Sequence, residues 1–257
     1  MSYELTIEPL GVSVEVEEQQ TLLEAALRAG IWLPHACNHG LCSSCKAELI
    51  DGEVEHGDAS PFALMDYERD EGQLLTCCAT AESDLVIEVD IEVDADARQI
   101  PVEDFTAEVV EVQHPAATML LLRLRADRFF DFQPGQYLNL TVPGVEGARA
   151  FSMASLADDD LIELHVRLVP GGRATEYLHT RLNPGDQLSF SGPYGQFFLR
   201  ESRQQALLLL AAGSGLSGVL GMARRMLQIN PAHQIVLYHG ARTESDLYAD
   251  ALLTQLA

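Results

Sequence analysis

The arrangement of cysteines constrains this chain more than any other feature of its sequence. Cys37, Cys42 and Cys45 stand at C-x4-C-x2-C spacing in one short segment, and Cys77 and Cys78 are adjacent further along the chain. A 2Fe–2S cluster needs four thiolates that converge on two irons, and this spacing lets one loop supply three of them. The sequence therefore predicts a 2Fe–2S site whose fourth ligand comes from the adjacent pair.

Other roles for these cysteines explain the spacing less well. Cys37-x-His39 forms half of a Rieske motif, but the second half would need a histidine where Cys45 stands. A zinc site would favour two short cysteine pairs or added histidines at ligand spacing, which the sequence lacks. Cysteines with only a structural role would not explain the pattern, so the iron–sulfur interpretation is preferred.

Acidic residues are concentrated in the first part of the chain. Residues 1–95 carry 21 acidic and 3 basic side chains, a net charge of −18, and the remainder carries −5. This balance argues against nucleic acid, a polyanion, as a partner. Two interpretations stay open: a solvated acidic surface, or a surface that steers the first domain onto a basic patch of an electron acceptor.

Length and composition favour a chain of two or three domains in a reducing compartment. The 257 residues exceed the usual size of one domain. The N-terminus lacks the basic stretch and apolar run of a signal peptide. The longest apolar run, Ala206–Ala212, is too short to span a bilayer, so no membrane partner is expected. Cysteines in a metal pattern rather than in disulfides predict a cytoplasmic location.

Residues 1–95 have the pattern of an α+β domain. Residues 3–8 and 12–17 alternate apolar and polar side chains around a Pro-Leu-Gly turn, which predicts a hairpin. Thr21-Leu22-Leu23-Glu24 is a capping box that opens a helix ending at Ala29. With the cysteine loop next, this is the element order of a β-grasp domain, followed by a linker at 96–102. The remaining predicted elements are strands at 46–50 and 54, a short helix at 61–70 and a final strand at 85–93.

Beyond the linker the pattern changes twice. Residues 103–200 contain short strands separated by Pro-Gly turns, which is typical of an antiparallel β-barrel. Residues 201–257 begin with an apolar run, as expected of a central parallel strand, and continue as β-α-β-α, the first half of a doubly wound nucleotide-binding domain. The predicted barrel strands are 106–112, 119–124, 136–142, 161–168 and 187–191. The predicted elements of the last segment are a strand at 206–211, a helix ending near 227, a strand at 234–239 and a helix at 244–256.

A tetrapeptide in the barrel segment resembles a flavin-binding motif. Arg149-Ala150-Phe151-Ser152 matches the Arg-x-Tyr/Phe-Ser motif of the ferredoxin–NADP reductase superfamily. In this motif a guanidinium can bind a flavin phosphate, an aromatic ring can lie against the cofactor, and a hydroxyl can reach flavin N5. The resemblance implies that Arg149, Phe151 and Ser152 bind the flavin, with Ser152 in a catalytic role.

A second element strengthens the flavin interpretation. A strand end is followed by a Gly-Gly turn and a helix, whose N-terminus offers N–H donors and a positive dipole end to a pyrophosphate. Gly172-x-x-Thr175 corresponds to the superfamily's Gly-x-x-Ser/Thr, and Ser191–Gly195 resembles the Gly-Pro-x-Gly that closes its flavin domain. A pyrophosphate loop favours FAD over FMN. The further candidate FAD-binding residues are His165, Val166, Arg167, Gly172, Ala174 and Thr175.

The last segment carries a short glycine turn where a nicotinamide dinucleotide would bind. Gly213, Ser214 and Gly215 lie between a strand and a helix, although Ala212 stands where the superfamily usually has its first glycine. After the second strand, Gly240 and Arg242 would flank the adenosine ribose. Because acidic Glu244 and Asp246 follow instead of further basic residues, the sequence favours NADH over NADPH.

The whole chain resembles the reductase components of bacterial multicomponent monooxygenases, and most closely those of phenol hydroxylases. Residues 59–66 and 191–198 carry this likeness, and the Leu-Thr-Cys of plant-type ferredoxins points to Cys77 as the fourth cluster ligand, with Cys78 a free thiol. The resemblance implies a ferredoxin domain, a flavin barrel and a nicotinamide domain in one chain. It also implies electron transfer from NADH through FAD and the 2Fe–2S cluster to the di-iron hydroxylase of a phenol or aromatic monooxygenase.

The sequence departs from this family at its end. Family members continue with further βα units, a Cys-Gly-Pro-Pro-type loop beside the nicotinamide and a C-terminal aromatic residue near the flavin, and none of these follows Ala257. The chain is therefore expected to be a fragment or the product of a truncated gene, with an incomplete nicotinamide site. Two other functions stay open: a non-enzymatic ferredoxin–flavin electron carrier, and the reductase of an aromatic-ring dioxygenase.

Overall fold

The computed structural model describes residues 2–91, 94–203 and 205–256. They form two compact units, Met1–Val102 and Glu103–Ala257. The first unit contains the α+β segment and its linker, and the second contains the barrel and nucleotide-binding segments. Within the described ranges, no helix is both long enough and apolar enough to cross a membrane.

The first unit is built on a mixed sheet. Its elements are β1 (Ser2–Glu8), β2 (Val12–Glu17), α1 (Leu22–Arg28), β3 (Lys46–Asp51), β4 (Val54–Glu55), α2 (Asp66–Asp70), β5 (Gln73–Leu75), β6 (Thr80–Ala81) and β7 (Leu85–Glu88). Five strands form a sheet of order β2-β1-β7-β3-β5, in which β1 pairs antiparallel with β2 and parallel with β7. The long connection from α1 to β3 carries three of the cysteines.

The first hairpin follows from the period-two alternation of its sequence. Leu5 and Ile7 of β1 and Val14 and Val16 of β2 are buried on the same face of the sheet, while the intervening polar residues face solvent. The antiparallel register joins Leu5 to Val14 and Ile7 to Val12. The predicted hairpin is therefore confirmed.

Helix α1 has only half of the predicted capping box. The Thr21 hydroxyl accepts a hydrogen bond of 3.2 Å from the N–H of Glu24, as a capping threonine should. The Glu24 carboxylate accepts instead from Nε of Arg28 at 2.9 Å, four residues further along the helix. The prediction of a reciprocal hydrogen bond to the Glu24 side chain is therefore wrong, because the cation of Arg28 competes for this carboxylate.

Two further predicted elements of the first unit are shorter in the structure. The helix predicted at 61–70 begins only at Asp66, because the N–H groups of Ala63 and Leu64 bond to the carbonyl of Ser60 in a preceding turn. The strand predicted at 85–93 ends at Glu88, whose partner Glu8 is the last residue of β1. Its residues 92 and 93 lie outside the described residues.

The second unit begins with an antiparallel barrel. Its elements are β8 (Glu103–Ala116), β9 (Met119–Ala126), β10 (Tyr137–Thr141), β11 (Arg149–Ser152), β12 (Ile162–Arg167), α3 (Arg173–Thr180) and β13 (Gln187–Tyr194). The strands run in the order β11-β10-β13-β8-β9-β12, and a bridge between Met153 and Leu164 links the end of β11 to β12. Rings of Phe105, Phe130 and Phe190 pack at centroid distances of 4.9 to 5.0 Å inside it. The predicted antiparallel barrel is confirmed.

The rest of the second unit has the predicted β-α-β-α order. Its elements are β14 (Leu207–Ala212), α4 (Leu216–Ile229), β15 (Ile235–Gly240) and α5 (Asp250–Leu256). Strands β14 and β15 are parallel, and α4 packs on one face of them. On the other face of this strand pair, Leu208 and Leu210 are more than 60% exposed.

Candidate functional site

The cysteine loop has a backbone that only a few residue types can adopt. Asn38, Gly40 and Ser43 all have positive φ, at 58°, 72° and 58°. A Cβ at Gly40 would lie 2.7 Å from Sγ of Cys78 and 3.1 Å from Cα of Ala59. Glycine is therefore needed here both for its conformation and for the close approach of the second cysteine segment.

The segment after β4 holds this loop in place. The N–H of Ser60 donates to the carbonyl of Gly40 at 3.0 Å, and the hydroxyl of Ser43 donates to the carbonyl of Ala63 at 2.8 Å. On the other side, the N–H of Thr76 donates to the carbonyl of Cys45 at 3.0 Å. These bonds bring the two cysteine segments together, although the segments are distant in sequence.

The cysteine side chains gather in one group, in which Cys37 neighbours Cys42 and Cys45 neighbours Cys77. Burial would raise the pKa of the Cys42 thiol, but hydrogen bonding with Ser44 and the nearby Cys37 lowers it to about 6. Cys45 hydrogen-bonds to Cys77, and this contact together with burial raises the pKa of Cys45. Cys78 also belongs to the group, since its Sγ lies 3.6 Å from that of Cys77.

Two pairs of thiols suit a binuclear cluster better than a single ion. In a 2Fe–2S cluster each iron takes two thiolates and shares two sulfides with the other iron, so the ligands come in two pairs. The thiols of Cys37 with Cys42 and of Cys45 with Cys77 therefore fit the ligand set of such a cluster.

One edge of this sulfur group faces solvent. Cys42 is the exposed member of the group, whereas Cys45 and Cys77 are buried. The neighbouring Leu41 is 62% exposed, and Phe62, on the segment that bonds to the loop, is 90% exposed. The cluster loop thus presents an apolar edge on the outside of a strongly acidic unit.

A cavity of about 670 Å³ in the second unit unites most of the residues predicted to bind the flavin. It is lined by Arg149 and Phe151 of β11 and by the turn that leads into α3. Within the described residues, α3 has no side-chain N-cap, so its first-turn N–H groups remain available to a ligand. The predicted residues that line the cavity are Arg149, Phe151, Gly172, Ala174 and Thr175.

Two guanidinium groups line this cavity together with one acidic residue, Glu146. Arg149 Nη1 donates to the backbone carbonyls of residues 146–148 at 3.0 to 3.2 Å, which orients its side chain. Arg173, which sequence reasoning missed, also lines the cavity, and its Nη2 donates to the carbonyl of Gly144 at 2.6 Å. Two fixed cations beside a helix N-terminus form a site suited to a pyrophosphate.

The Ser152 side chain lies near α4, whereas the Arg149 side chain lines the flavin cavity. A Cβ added at Gly218 of α4 would lie 3.6 Å from the Ser152 hydroxyl, so this glycine lets the helix approach the end of β11. Ser152 also pairs with Tyr137, whose ring stacks on Tyr194 at a centroid distance of 5.5 Å. The predicted catalytic hydroxyl therefore lies at the boundary between the barrel and α4.

The structure does not bring His165, Val166 and Arg167 to the flavin cavity. Val166 is fully buried in the barrel core, and its carbonyl accepts a hydrogen bond from His179. His165 and Arg167 alternate with it on the opposite face of β12, towards the nucleotide-binding segment. Strand alternation thus separates three residues that are adjacent in sequence.

A second cavity, of about 360 Å³, lies at the glycine turn after β14. The predicted Gly213, Gly240 and Arg242 line it, while Ser214 and Gly215 complete the turn of which Gly213 is the first residue. Sequence reasoning assigned Arg167 to the flavin and missed Thr118. The residues brought there by the fold are Thr118, Met119, Arg167 and Asp246.

Asp246 is fixed as a carboxylate within this cavity. Hydrogen bonds from Thr243 and Thr118, each 2.9 Å long, lower its pKa, and the charges of Arg242 and Arg167 lower it further. Thr118 lies in the turn between β8 and β9, so this bond joins the barrel to the nucleotide-binding segment. The cavity thus combines two cations with one anion held in a defined position.

Glu163 forms a buried ionic network on β12. Its carboxylate accepts from Arg123 at 2.9 Å, from Nε2 of His165 at 3.2 Å and from Arg224 of α4 at 3.4 Å. Burial alone would raise the pKa of Glu163, but the His165 hydrogen bond and the charges of Arg224 and Arg123 lower it to about 2. The network therefore requires Glu163 to be ionised.

A Glu163→Gln variant is expected to lose about 3 kcal/mol of stability at neutral pH, because the buried carboxylate is removed from its partly buried partners Arg123 and Arg224. The folded pKa of about 2 lies below the ordinary value of 4.5. The contribution of Glu163 is therefore complete above pH 4.5 and is lost as the pH falls towards 2. Melting temperatures measured between these pH values should fall more steeply for the wild type than for Glu163→Gln. The exposed Glu108→Gln is the control, and equal slopes in all three proteins would contradict the prediction.

Three family models match successive segments of this chain. Residues 5–82 match the model of a 2Fe-2S iron-sulfur cluster binding domain. Residues 107–199 match an oxidoreductase FAD-binding domain. Residues 209–257 match an oxidoreductase NAD-binding domain. The three cofactors expected from the sequence therefore each have a matching domain.

Known relatives match this chain across all three domains. The chain is 49% identical over its whole length to the phenol hydroxylase P5 protein of Acinetobacter pittii, and covers 73% of that protein. It is equally similar to the reductase component DmpP of phenol 2-monooxygenase from Pseudomonas sp., at 49% identity with 100% of this chain and 73% of the relative covered. The crystal structure of the Amycolatopsis cytochrome P-450 reductase GcoB superposes with a TM-score of 0.90 at 37% identity, covering 99% of this chain and 77% of that one.

Proposed function

Since this chain belongs to the family of phenol hydroxylase reductase components, we propose that it transfers electrons from NADH through FAD and a 2Fe–2S cluster to the hydroxylase of an aromatic monooxygenase. It is an oxidoreductase with 2Fe–2S, FAD and NAD domains. The main support from its own residues is the meeting of the cysteine loop and the Cys77–Cys78 segment in one group of sulfurs, in a chain that also has a flavin cavity lined by two arginines.

Each cofactor has a defined set of side chains in this proposal. Cys37, Cys42, Cys45 and Cys77 hold the cluster, and their thiols give up protons as they bind iron. When bound, FAD accepts the two electrons of a hydride and releases them singly, which matches a nicotinamide to a one-electron cluster. Arg149, Arg173 and the N-terminus of α3 bind its pyrophosphate, and the Ser152 hydroxyl serves as the hydrogen-bonding group beside the flavin.

NADH is the proposed electron donor rather than NADPH. The glycine turn at Gly213–Gly215 binds the dinucleotide pyrophosphate, and Gly240 and Arg242 lie beside the adenosine ribose. Asp246 supports NADH, because a carboxylate fixed by Thr118 would repel a 2′-phosphate and can accept a hydrogen bond from a free ribose hydroxyl.

The proposed acceptor is a di-iron hydroxylase, which meets the cluster loop at its exposed edge. Residues 1–95 carry a net charge of −18, which would steer this unit towards a basic surface. Exposed Leu41 precedes Cys42, exposed Phe62 lies on the segment that bonds to the loop, and both offer apolar contact area near the point where the electron leaves. The reduced cysteines that such a cluster needs are consistent with a cytoplasmic location.

A visible spectrum recorded before and after anaerobic addition of NADH tests the proposal. Flavin bands and broad cluster absorption should both be present, and NADH should bleach both, with NADPH much slower as the matched control. Bleaching by dithionite but not by NADH would reduce the function to that of an electron carrier. A protein that stays colourless after reconstitution with iron, sulfide and FAD would contradict both functions.

A further inference from the structure

The outer face of β12 is the surface on which the nucleotide-binding segment rests. Glu163, His165 and Arg167 alternate along this face. Each contacts a different element: Glu163 bonds to Arg224 of α4, His165 bonds to Tyr248 before α5, and Arg167 lies about 4 Å from the position a Cβ would take at Gly213. One barrel strand thus contacts three separate parts of the nucleotide-binding segment.

The contact through His165 links Glu163 to Tyr248 by two hydrogen bonds. Glu163 is ionised and can only accept, so Nε2 of His165 carries the hydrogen of their 3.2 Å bond. Nδ1 of His165 lies 2.8 Å from the hydroxyl of Tyr248, so these two groups share a hydrogen bond. The buried His165 ring and the Tyr248 ring meet edge to face at 87°, which fixes the orientation of the tyrosine.

Tyr248 transmits this orientation to the glycine turn through one more residue. Its ring meets the ring of His239 at 5.4 Å and 87°. Nε2 of His239 donates to the carbonyl of Gly213 at 3.2 Å, since a carbonyl can only accept. Nδ1 of His239 is buried without a hydrogen-bond partner among the described residues, a cost that a residue with only a packing role would avoid.

Dinucleotide binding at this turn should depend on the orientation of the Gly213 carbonyl. Gly213 has φ of 53° and is the first residue of the turn that leads into α4. In a planar trans peptide the carbonyl of Gly213 and the N–H of Ser214 point in opposite directions. A hydrogen bond that fixes the carbonyl therefore also fixes the N–H that follows it, and N–H groups in this turn are the donors for a pyrophosphate.

We propose that His239 and Tyr248 are positioning residues for the nicotinamide dinucleotide: they hold the Gly213 peptide in its binding orientation and tie it to the flavin barrel through His165. This inference rests on the proposed use of NADH. Neither side chain lines the cavity, so both act through the peptide rather than on the ligand.

The test is the affinity of the FAD-loaded protein for ADP-ribose, measured by isothermal titration calorimetry. ADP-ribose carries the pyrophosphate and both riboses but no nicotinamide, so it probes the glycine turn directly. His239→Leu should raise the dissociation constant about tenfold, the equivalent of one hydrogen bond. His239→Gln keeps an N–H donor and should restore most of the affinity. Tyr248→Phe should also weaken binding, and the double variant Tyr248→Phe with His239→Leu should be no weaker than His239→Leu alone.

Matched controls separate positioning from general damage. Tyr238→Phe, at an exposed position of β15, should bind as the wild type does. FAD and cluster contents should be unchanged in every variant. Wild-type affinity in His239→Leu and Tyr248→Phe, or equal losses in His239→Leu and His239→Gln, would overturn the inference alone. A wild-type protein that does not bind ADP-ribose would overturn the proposed use of NADH and this inference with it.

Discussion

A Cys77→Ala variant is expected to lose the 2Fe–2S cluster, whereas Cys78→Ala keeps it. The two cysteines are adjacent and their sulfurs lie 3.6 Å apart, but Cys77 is the one that raises the pKa of the neighbouring Cys45 thiol. An iron left with Cys45 alone would lack one of its two thiolates, and a metal site is held only when its ligand set is complete. Iron and sulfide analysis, visible absorption and electron paramagnetic resonance of the dithionite-reduced protein measure the outcome.

The flavin provides an internal control in both variants. The FAD cavity is built from residues of the second unit, so FAD content should equal that of the wild type in Cys77→Ala and in Cys78→Ala. Loss of FAD together with the cluster would indicate general misfolding. A cluster that survives in Cys77→Ala and disappears in Cys78→Ala would assign the fourth ligand to Cys78.

The cluster site could be predicted from the sequence because most of its ligands are close together along the chain. One loop carries Cys37, Cys42 and Cys45, and their spacing alone specifies the kind of centre. What the spacing could not provide was the choice between Cys77 and Cys78, since both thiols reach the sulfur group in the folded chain. The pairing with Cys45 depends on how the segment after β5 crosses the loop, which is a tertiary property.

The flavin site was only partly predictable for a related reason. Arg149 and Thr175 belong to two motifs that the sequence shows separately, and the fold brings both to one cavity. His165 and Arg167 adjoin the second motif in sequence, yet they face the nucleotide-binding segment because successive residues of a strand point to opposite faces. A motif fixes which residues are close along the chain, and strand geometry decides which of them share a surface.

The contacts of Asp246 and Tyr248 had no sequence signal. Asp246 bonds to Thr118, which lies 128 positions earlier, and Tyr248 bonds to His165, 83 positions earlier. Each side chain has an ordinary role when seen alone, an acidic residue in a loop and an aromatic residue before a helix. Their functions depend on packing of the nucleotide-binding segment against the barrel, which no local pattern encodes.

An Arg149→Ala variant is expected to bind FAD about 10- to 100-fold more weakly than the wild type. The loss of one charge-assisted contact to a phosphate corresponds to about 1.5–3 kcal/mol, and each 1.4 kcal/mol is a factor of about ten. Arg173 and the N-terminus of α3 remain, so binding should be weakened rather than abolished. Titration of the flavin-free protein with FAD, followed by flavin fluorescence, measures the dissociation constant.

The chemical specificity of this loss distinguishes a phosphate contact from a disturbed barrel. Riboflavin has the isoalloxazine ring but no phosphate, so Arg149→Ala should bind it as the wild type does, and the difference between FAD and riboflavin should shrink. Arg125→Ala is the matched control, because Arg125 is an exposed barrel arginine whose carboxylate partner, Glu108, is 4.0 Å away at the surface. Removing it should leave both affinities unchanged. Equal losses for FAD and riboflavin in Arg149→Ala would mean that Arg149 supports the shape of the cavity, and the phosphate would then have to be held by Arg173 and the helix N-terminus alone.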